Sequence, residues 1–253
     1  MKKRLISLVL ISHAYAAALN ADEVHVAVAS NFSKPLEILA PVFKASSGHD
    51  LKVSTGATGK LYAQIENGAP FEVFLSADSK TPKKLVDAQL AVVASQFTYA
   101  LGKLVLWSSA KDYVDDKGEV LKKNEFKYIA IANPNTAPYG VAALEVLDKL
   151  GLSASLAAKQ VQGENISQTY DFVATGNAEL GLVAWSQIQQ DGQLTAGSMW
   201  QVPEDLYQPI QQDAVLLNKG KNNKAANAFL DFLKTTEAQK LITESGYGLP
   251  KAN

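Results

Sequence analysis

The feature that most constrains the fold is a regular alternation of short apolar stretches with helical patterns. Apolar stretches at residues 24–28, 51–54 and 71–76 are each followed by apolar residues spaced as on one face of a helix. Such β-α alternation is typical of a parallel sheet with helices on both of its faces. The sequence therefore predicts an α/β fold built on mostly parallel sheets.

The alternation runs twice, once on each side of a long apolar strand predicted at 99–108 and interrupted by Gly102. A later strand, predicted at 210–217, is expected to return the chain to its first unit. We therefore predict two lobes that face each other across a cleft. Lobe I is expected to contain residues 22–102 and 208–253, and lobe II residues 103–207.

Four predicted strand-to-helix junctions carry small or polar residues. They are Ser30-Asn31, 56–59, 136–140 and 164–167, two in each lobe. Ligands of open α/β sheets bind beyond the carboxyl ends of the strands, and a helix start offers unpaired N–H groups and the positive end of its dipole. Four such starts around one cleft predict an anion site, although each junction alone is explained as well by an ordinary N-cap or turn.

The junction at 54–60 reads Ser-Thr-Gly-Ala-Thr-Gly-Lys and ends like a phosphate-binding loop. The Walker pattern requires glycine where Thr55 stands, so nucleotide binding is not predicted. Lys60 falls in the first helical turn, and the sequence indicates no partner for it. Glu164, in the fourth junction, would have to point away from an anion.

The charged residues exclude several partners. The net charge is −1 with scattered lysines, so neither nucleic acid nor an anionic membrane surface is predicted as a partner. Arg4 is the only arginine, and there is no cysteine. An anion site must therefore use N–H and hydroxyl donors in place of guanidinium groups, and a thiolate metal site is excluded.

The N-terminus has the pattern of a secretory signal peptide at residues 1–21. Met1-Lys2-Lys3-Arg4 is basic, residues 5–12 are apolar, and small residues surround Tyr15. The apolar run is too short to span a bilayer. We expect the mature protein outside the cytoplasm.

The alternative class is a secreted hydrolase. A nucleophile and a base would then have to meet in the cleft, but none of the three histidines, His13, His25 and His49, follows a predicted strand in the manner of the four junctions. We therefore predict a protein that is not an enzyme and has no cofactor. Core packing is the preferred interpretation of Trp107, Trp185 and Trp200.

Several blocks of sequence resemble the periplasmic molybdate-binding proteins of ABC importers, and the resemblance covers essentially the whole chain after the leader. Its most specific parts are the Ser-Ala-Asp block ending at Asp78 and the Ala-Pro-Tyr-Gly block ending at Gly140. The other matching blocks are 27–32, 54–60, 68–70, Asn133-Pro134 and 229–248.

The resemblance implies a type II periplasmic binding protein, with two α/β lobes and a tetrahedral oxyanion between them. The family's ligands are molybdate and tungstate, so molybdenum would be held as the oxyanion by hydrogen bonds, with no direct metal ligand. The partner would be the membrane permease of an ABC transporter, and a monomer is expected. The oxyanion-binding residues carried over by motif are Ser30, Asn31, Thr58, Tyr139 and, through its backbone N–H, Ile166.

One position departs from the family pattern. Many members have tyrosine where this chain has Ala184, and Tyr139 is expected to take over that contact. A site made of donors disfavours phosphate, because a protonated phosphate oxygen would be left unpaired at a cost of about 1–3 kcal/mol. Sulfate, which is fully deprotonated like molybdate, remains the alternative ligand.

Overall fold

The computed structural model describes residues 22–251, so the predicted signal peptide at 1–21 lies outside the described part of the chain. The described residues form twelve strands and ten α-helices. The strands are β1 (Glu23–Ala29), β2 (Asp50–Gly56), β3 (Val73–Leu75), β4 (Phe97–Gly102), β5 (Leu104–Ser108), β6 (Ile129–Ala132), β7 (Gln160–Gly163), β8 (Leu180–Ala184), β9 (Gln189–Gln190), β10 (Gln193–Leu194), β11 (Ser198–Gln201) and β12 (Ile210–Leu216).

Most helices follow directly on strands, as the alternation predicted. They are α1 (Ser33–Ser47), α2 (Thr58–Glu66), α3 (Lys80–Asp87), α4 (Val120–Lys123), α5 (Pro138–Lys149), α6 (Ser153–Leu156), α7 (Ile166–Ala174), α8 (Trp185–Ile188), α9 (Lys224–Phe232) and α10 (Thr236–Glu244). A 3-10 turn at Ser30–Phe32 joins β1 to α1. Among the described helices, none combines the length and the apolar character needed to cross a membrane.

The strands form two separate five-stranded sheets. The first has the order β2-β1-β3-β12-β4, and the second has the order β11-β5-β8-β6-β7. We refer to the first sheet with its helices as lobe I and to the second as lobe II. In lobe I, β1 is parallel to β2 and β3, while β12 is antiparallel to both of its neighbours. In lobe II, β6 is parallel to β7 and β8. Both sheets are therefore mixed, with a parallel half that carries the predicted junctions.

The single strand predicted at 99–108 is wrong. The chain forms β4 in the first sheet, leaves it at Gly102, and enters the second sheet as β5 at Leu104. One continuous stretch of sequence thus crosses from the first sheet to the second, with β5 buried throughout and β4 buried in part. The return at β12 is confirmed, since that strand pairs with β3 and β4.

Each lobe buries its own apolar core. In lobe I, Phe43 of α1 packs against Phe229 and Phe232 of the α9 helix, with ring centroids 5.2 and 5.5 Å apart. Full burial of such a side chain contributes about 1.5–3 kcal/mol. In lobe II, Leu147 of α5 belongs to the cluster that also contains Ile131 of β6. Each half of the cleft therefore rests mainly on the core of its own lobe, and Ala29 and Ala77 of lobe I join the lobe II cluster at the cleft.

The structure also contains elements that the sequence pattern did not predict. The short pair β9–β10 and the edge strand β11 lie in the polar region before the return strand. α2 begins at Thr58, inside the predicted junction 56–59, and α5 begins at Pro138, inside the predicted junction 136–140. Both helices therefore start inside what was predicted as loop, which brings their first N–H groups to the cleft.

Candidate oxyanion-binding site

A small cavity lies where the carboxyl ends of β1 and β2 face the starts of α5 and α7. Its volume is about 10 Å³, far below the roughly 300–1,000 Å³ of pockets for drug-sized ligands. Only a very small ligand therefore suits it. Residues of all four predicted junctions line it, including each predicted oxyanion-binding residue: Ser30, Asn31, Thr58, Tyr139 and Ile166.

Thr58 presents a hydroxyl group from lobe I. It is the first residue of α2 and is only 2% exposed. Its Oγ1 accepts a hydrogen bond of 3.2 Å from the Ala77 N–H. Because that bond uses an oxygen lone pair, the hydroxyl hydrogen is left for a ligand. The contact with Ala77 also fixes the position of the hydroxyl from the end of the neighbouring strand.

Asn31 contributes to the cavity in a different way. Its side-chain Nδ2 donates one hydrogen bond to Gln212 Oε1 and one to the Tyr247 hydroxyl, both at 2.9 Å. An amide nitrogen has two hydrogens, so both are used inside the protein. The backbone N–H of Asn31, in the first turn of a 3-10 helix, is the donor that remains. Ser30 precedes it with a hydroxyl that lines the same cavity.

The start of α7 leaves one backbone donor for a ligand. Asn165 is the N-cap, and its Oδ1 accepts from the N–H groups of Ser167 and Gln168 at 2.9 and 3.0 Å. The following N–H, of Thr169, bonds to the Asn165 carbonyl. Within the described part of the chain, the Ile166 N–H is the first-turn donor without a partner. This is the group that the sequence resemblance assigned to the oxyanion.

Tyr139 lies at the back of the cavity, against the first crossover between the lobes. Its hydroxyl accepts a hydrogen bond of 3.3 Å from Gln212 Nε2. A β-carbon on Gly102 would lie 2.3 Å from that hydroxyl oxygen. Gly102 is therefore required for close approach. Burial raises the pKa of Tyr139 well above its usual value, so the hydroxyl remains a neutral donor.

The cavity contains no ionised group. Of the described residues that line it, each is neutral. An anion would then be held by N–H and hydroxyl groups aimed from two lobes, which act strongly where water is excluded. None of these residues has a carboxylate group that could accept a hydrogen bond from a protonated ligand.

Two residues of opposite charge, one from each lobe, form an ion pair at the rim of the cleft. Lys60 Nζ of lobe I lies 2.7 Å from Glu164 Oε1 of lobe II. This contact supplies the partner that the sequence did not indicate for Lys60. It also directs the Glu164 carboxylate to lysine, as an anion site requires. Beside it, the Gly59 N–H bonds to the Thr136 carbonyl of lobe II at 2.9 Å.

The other candidate residues lie outside this cavity. His25 contacts Glu23, and His49 accepts from the Asp22 N–H. Asp78 holds the start of α3 through Thr81. Trp107 stacks on Tyr170 with ring centroids 5.1 Å apart, in agreement with a packing role. Across residues 22–251, no group of three or more His, Cys, Asp or Glu side chains is placed to hold a metal ion.

The sequence analysis missed a buried polar network behind the cavity. It consists of Asn31, Tyr99, Tyr139, Ser186, Gln212 and Tyr247. In strand β12 the three consecutive residues 211–213 are polar, and two of them, Gln212 and Asp213, are buried. This break in the apolar pattern was the one signal available in the sequence.

Two α/β lobes around a small neutral cavity define the class of two-lobed solute-binding proteins. The sequence profile of the bacterial extracellular solute-binding proteins matches residues 24–248. The chain belongs to this family.

Comparison with individual proteins indicates to which members of the family this chain is similar in sequence. The chain is 57% identical over 234 residues to the molybdate-binding protein ModA of Azotobacter vinelandii, a match that covers 92% of this chain and 93% of that protein. It is 53% identical over 228 residues to ModA of Rhodobacter capsulatus, covering 90% and 88%. The solved structure of the Azotobacter vinelandii periplasmic molybdate-binding protein superposes with a TM-score of 0.86 at 43% identity, covering 90% of this chain and all of that one. The chain thus groups with the molybdate-binding members.

Proposed function

We propose that this protein binds molybdate between its lobes and delivers it to the permease of an ABC transporter. The observation that carries the proposal is the set of neutral donors from both lobes around one small cavity without charged residues. Two relatives that each match about nine-tenths of the chain are named molybdate-binding proteins. The protein then acts as a receptor and not as an enzyme.

Each predicted residue has a defined part in this proposal. The hydroxyls of Ser30 and Thr58 and the backbone N–H of Asn31 donate from lobe I. Tyr139 and the Ile166 N–H donate from lobe II. Because these donors come from two separately folded lobes, the anion itself completes the contact between them, and binding favours closure.

The chemistry of the donors separates the tetrahedral anions into two groups. Molybdate, tungstate and sulfate accept hydrogen bonds at every oxygen, whereas much phosphate carries a proton at neutral pH. Leaving that proton unpaired costs about 1–3 kcal/mol, which disfavours phosphate. Tungstate is proposed as a second ligand because it has the same charge and shape as molybdate. Sulfate is smaller and would make longer, weaker contacts with a cavity built for molybdate.

The remaining features follow from the same proposal. Residues 1–21 are a signal peptide that directs export to the periplasm. Lobe I comprises residues 22–102 and 208–253, and lobe II residues 103–207, with the boundaries at the two crossovers between the sheets. The protein works as a monomer, and neither nucleic acid nor a cofactor is involved.

A thermal-shift titration against molybdate, tungstate, sulfate and phosphate tests the proposal. A ligand present at 100 times its dissociation constant stabilises the folded protein by about 2.7 kcal/mol. We expect a clear rise in Tm with molybdate and tungstate, and little change with phosphate. A rise with sulfate and none with molybdate would refute the assignment.

A further inference from the structure

Two side chains of lobe I each connect Asn31 to a hydroxyl group of lobe II. Tyr247 bonds to Asn31 and lies 3.0 Å from Ser186 Oγ. Gln212 bonds to Asn31 through Oε1 and to the Tyr139 hydroxyl through Nε2. Both connections are buried, and both run from an anion-binding segment of one lobe to the facing lobe.

The directions of the Tyr247 bonds follow from proton accounting. Its hydroxyl donates to the Asn31 carbonyl at 2.7 Å and accepts from Asn31 Nδ2. A phenolic hydroxyl has one hydrogen, so Ser186 is the donor in the contact between Tyr247 and Ser186. Ser186 Oγ also lies within donating distance, 3.3 Å, of the Asn31 carbonyl, so its one hydrogen is shared between the two acceptors. The hydroxyl of Tyr247 is therefore fully bonded when the lobes are in this arrangement.

Tyr247 is anchored to lobe I, next to the first crossover. The following residue, Gly248, exchanges two backbone hydrogen bonds of 2.8 Å with Leu101. The Tyr247 ring packs edge-on against Phe32, with centroids 5.2 Å apart. Ser186, by contrast, is in the first turn of α8, which follows strand β8 of lobe II. Rotation of the lobes about the crossovers would separate the two hydroxyls, because hydrogen bonds weaken steeply with distance and angle.

We propose that Tyr247 is a positioning residue that couples lobe closure to the anion site. It holds the Asn31 backbone in its binding geometry and gains the Ser186 hydrogen bond only in the closed arrangement. This inference rests on the proposed function, because it assumes that an anion between the lobes is what stabilises closure. Gln212 forms the second such connection, through Tyr139.

A positioning role of Tyr247 and a role in packing alone have different measurable effects. A residue that only stabilises lobe I would change the Tm of the anion-free protein and leave the dissociation constant unaltered. A residue that acts on closure changes the dissociation constant, and does so together with its partner on the other lobe. A double-mutant cycle separates the two cases.

The experiment measures dissociation constants and anion-free Tm for the full chain, Tyr247→Phe, Ser186→Ala and the double variant. Phenylalanine keeps the ring contact with Phe32, and alanine at 186 removes only the hydroxyl. We expect each single variant to weaken molybdate binding about three- to tenfold, and the double variant to bind no more weakly than the weaker single one. In the anion-free protein the two changes in Tm should be additive.

Two outcomes would overturn the inference. One is wild-type affinity in Ser186→Ala, which is measurable even if Tyr247→Phe fails to fold. The other is strictly additive losses of affinity. Titration of the wild type with molybdate, tungstate and sulfate in the same experiment keeps the two proposals apart. If only sulfate binds, the proposed ligand is wrong, and the cycle is then measured with sulfate.

Discussion

Two of the regions in which the lobes meet have opposite chemistry. At the rim, Lys60 and Glu164 form an ion pair of 2.7 Å whose side chains are 49% and 53% exposed. In the interior, the polar network joins the lobes through neutral hydroxyl and amide groups, all of them buried. An exposed ion pair contributes about 0–1 kcal/mol. A buried group that loses its partner costs about 1–3 kcal/mol, so the interior contacts decide how the lobes close.

The difference follows from what an anion site tolerates. A buried carboxylate beside the cavity would repel the ligand, and a buried cation would have to be desolvated at a high cost. Neutral donors avoid both costs. At the rim, the charges of Lys60 and Glu164 cancel each other, and solvent screens them. The pair can therefore connect the lobes with little effect on the electrostatic potential in the cavity.

The largest effect is expected from adding a methyl group at the crossover. In Gly102→Ala, the new β-carbon would overlap the Tyr139 hydroxyl and come within 2.8 Å of Gln212 Nε2. Overpacking of this kind costs about 1–3 kcal/mol, so we expect molybdate affinity to fall roughly 10–100-fold. Isothermal titration calorimetry measures the change.

The same substitution in a Tyr139→Phe background is the control. Without the hydroxyl, the closest ring atom would be 3.0 Å from the new carbon. The additional loss caused by Gly102→Ala should then be much smaller. An equal loss in both backgrounds would mean that the alanine acts on the crossover backbone and not on the tyrosine.

A smaller effect is expected at the wall of the cavity. Thr58→Val removes the hydroxyl that faces the cavity and also the acceptor for the Ala77 N–H. We expect molybdate affinity to fall about tenfold or more. Thr58→Ser keeps both functions of the hydroxyl and should bind within about threefold of the wild type. Unchanged affinity in the valine variant would show that Thr58 contacts the anion through its backbone alone.

The smallest effect is expected at the rim. Lys60→Gln and Glu164→Gln should each weaken molybdate binding by less than about fivefold, and the loss should vanish near 1 M salt, where charges are screened within about 3 Å. Lys83→Gln breaks a comparable exposed pair with Asp87 on α3 and should leave affinity unchanged. Tighter binding by Glu164→Gln would mean instead that this carboxylate repels the anion.

The order of the secondary structure was largely predictable because local patterns carry it. Alternation of apolar stretches and helical spacing identified β1, β2 and β3 and the helices that follow them. The stretch at 99–108 was the exception. Its two halves are equally apolar, and only pairing with different partners assigns β4 to one sheet and β5 to the other.

The five predicted oxyanion-binding residues lie together, but their contacts could not be read from the sequence. Ser30, Asn31, Thr58, Tyr139 and Ile166 line one cavity, and their binding of an anion stays a prediction. Asn31 donates both of its amide hydrogens, one to Gln212 and one to Tyr247. The sequence could not show this, because those residues are 181 and 216 positions away. The pairing of Lys60 with Glu164 was missed for the same reason.

The sequence by itself limited the groups that an anion site in this protein could use. It contains a single arginine, Arg4, and four junctions of small and polar residues, so it predicted a site of neutral donors at helix starts. Only the tertiary structure decided which donors are available, because a donor is free for a ligand only if no other group of the protein accepts its hydrogen bond. Those partners come from the other lobe and from the end of the chain, and folding alone brings them within hydrogen-bond distance.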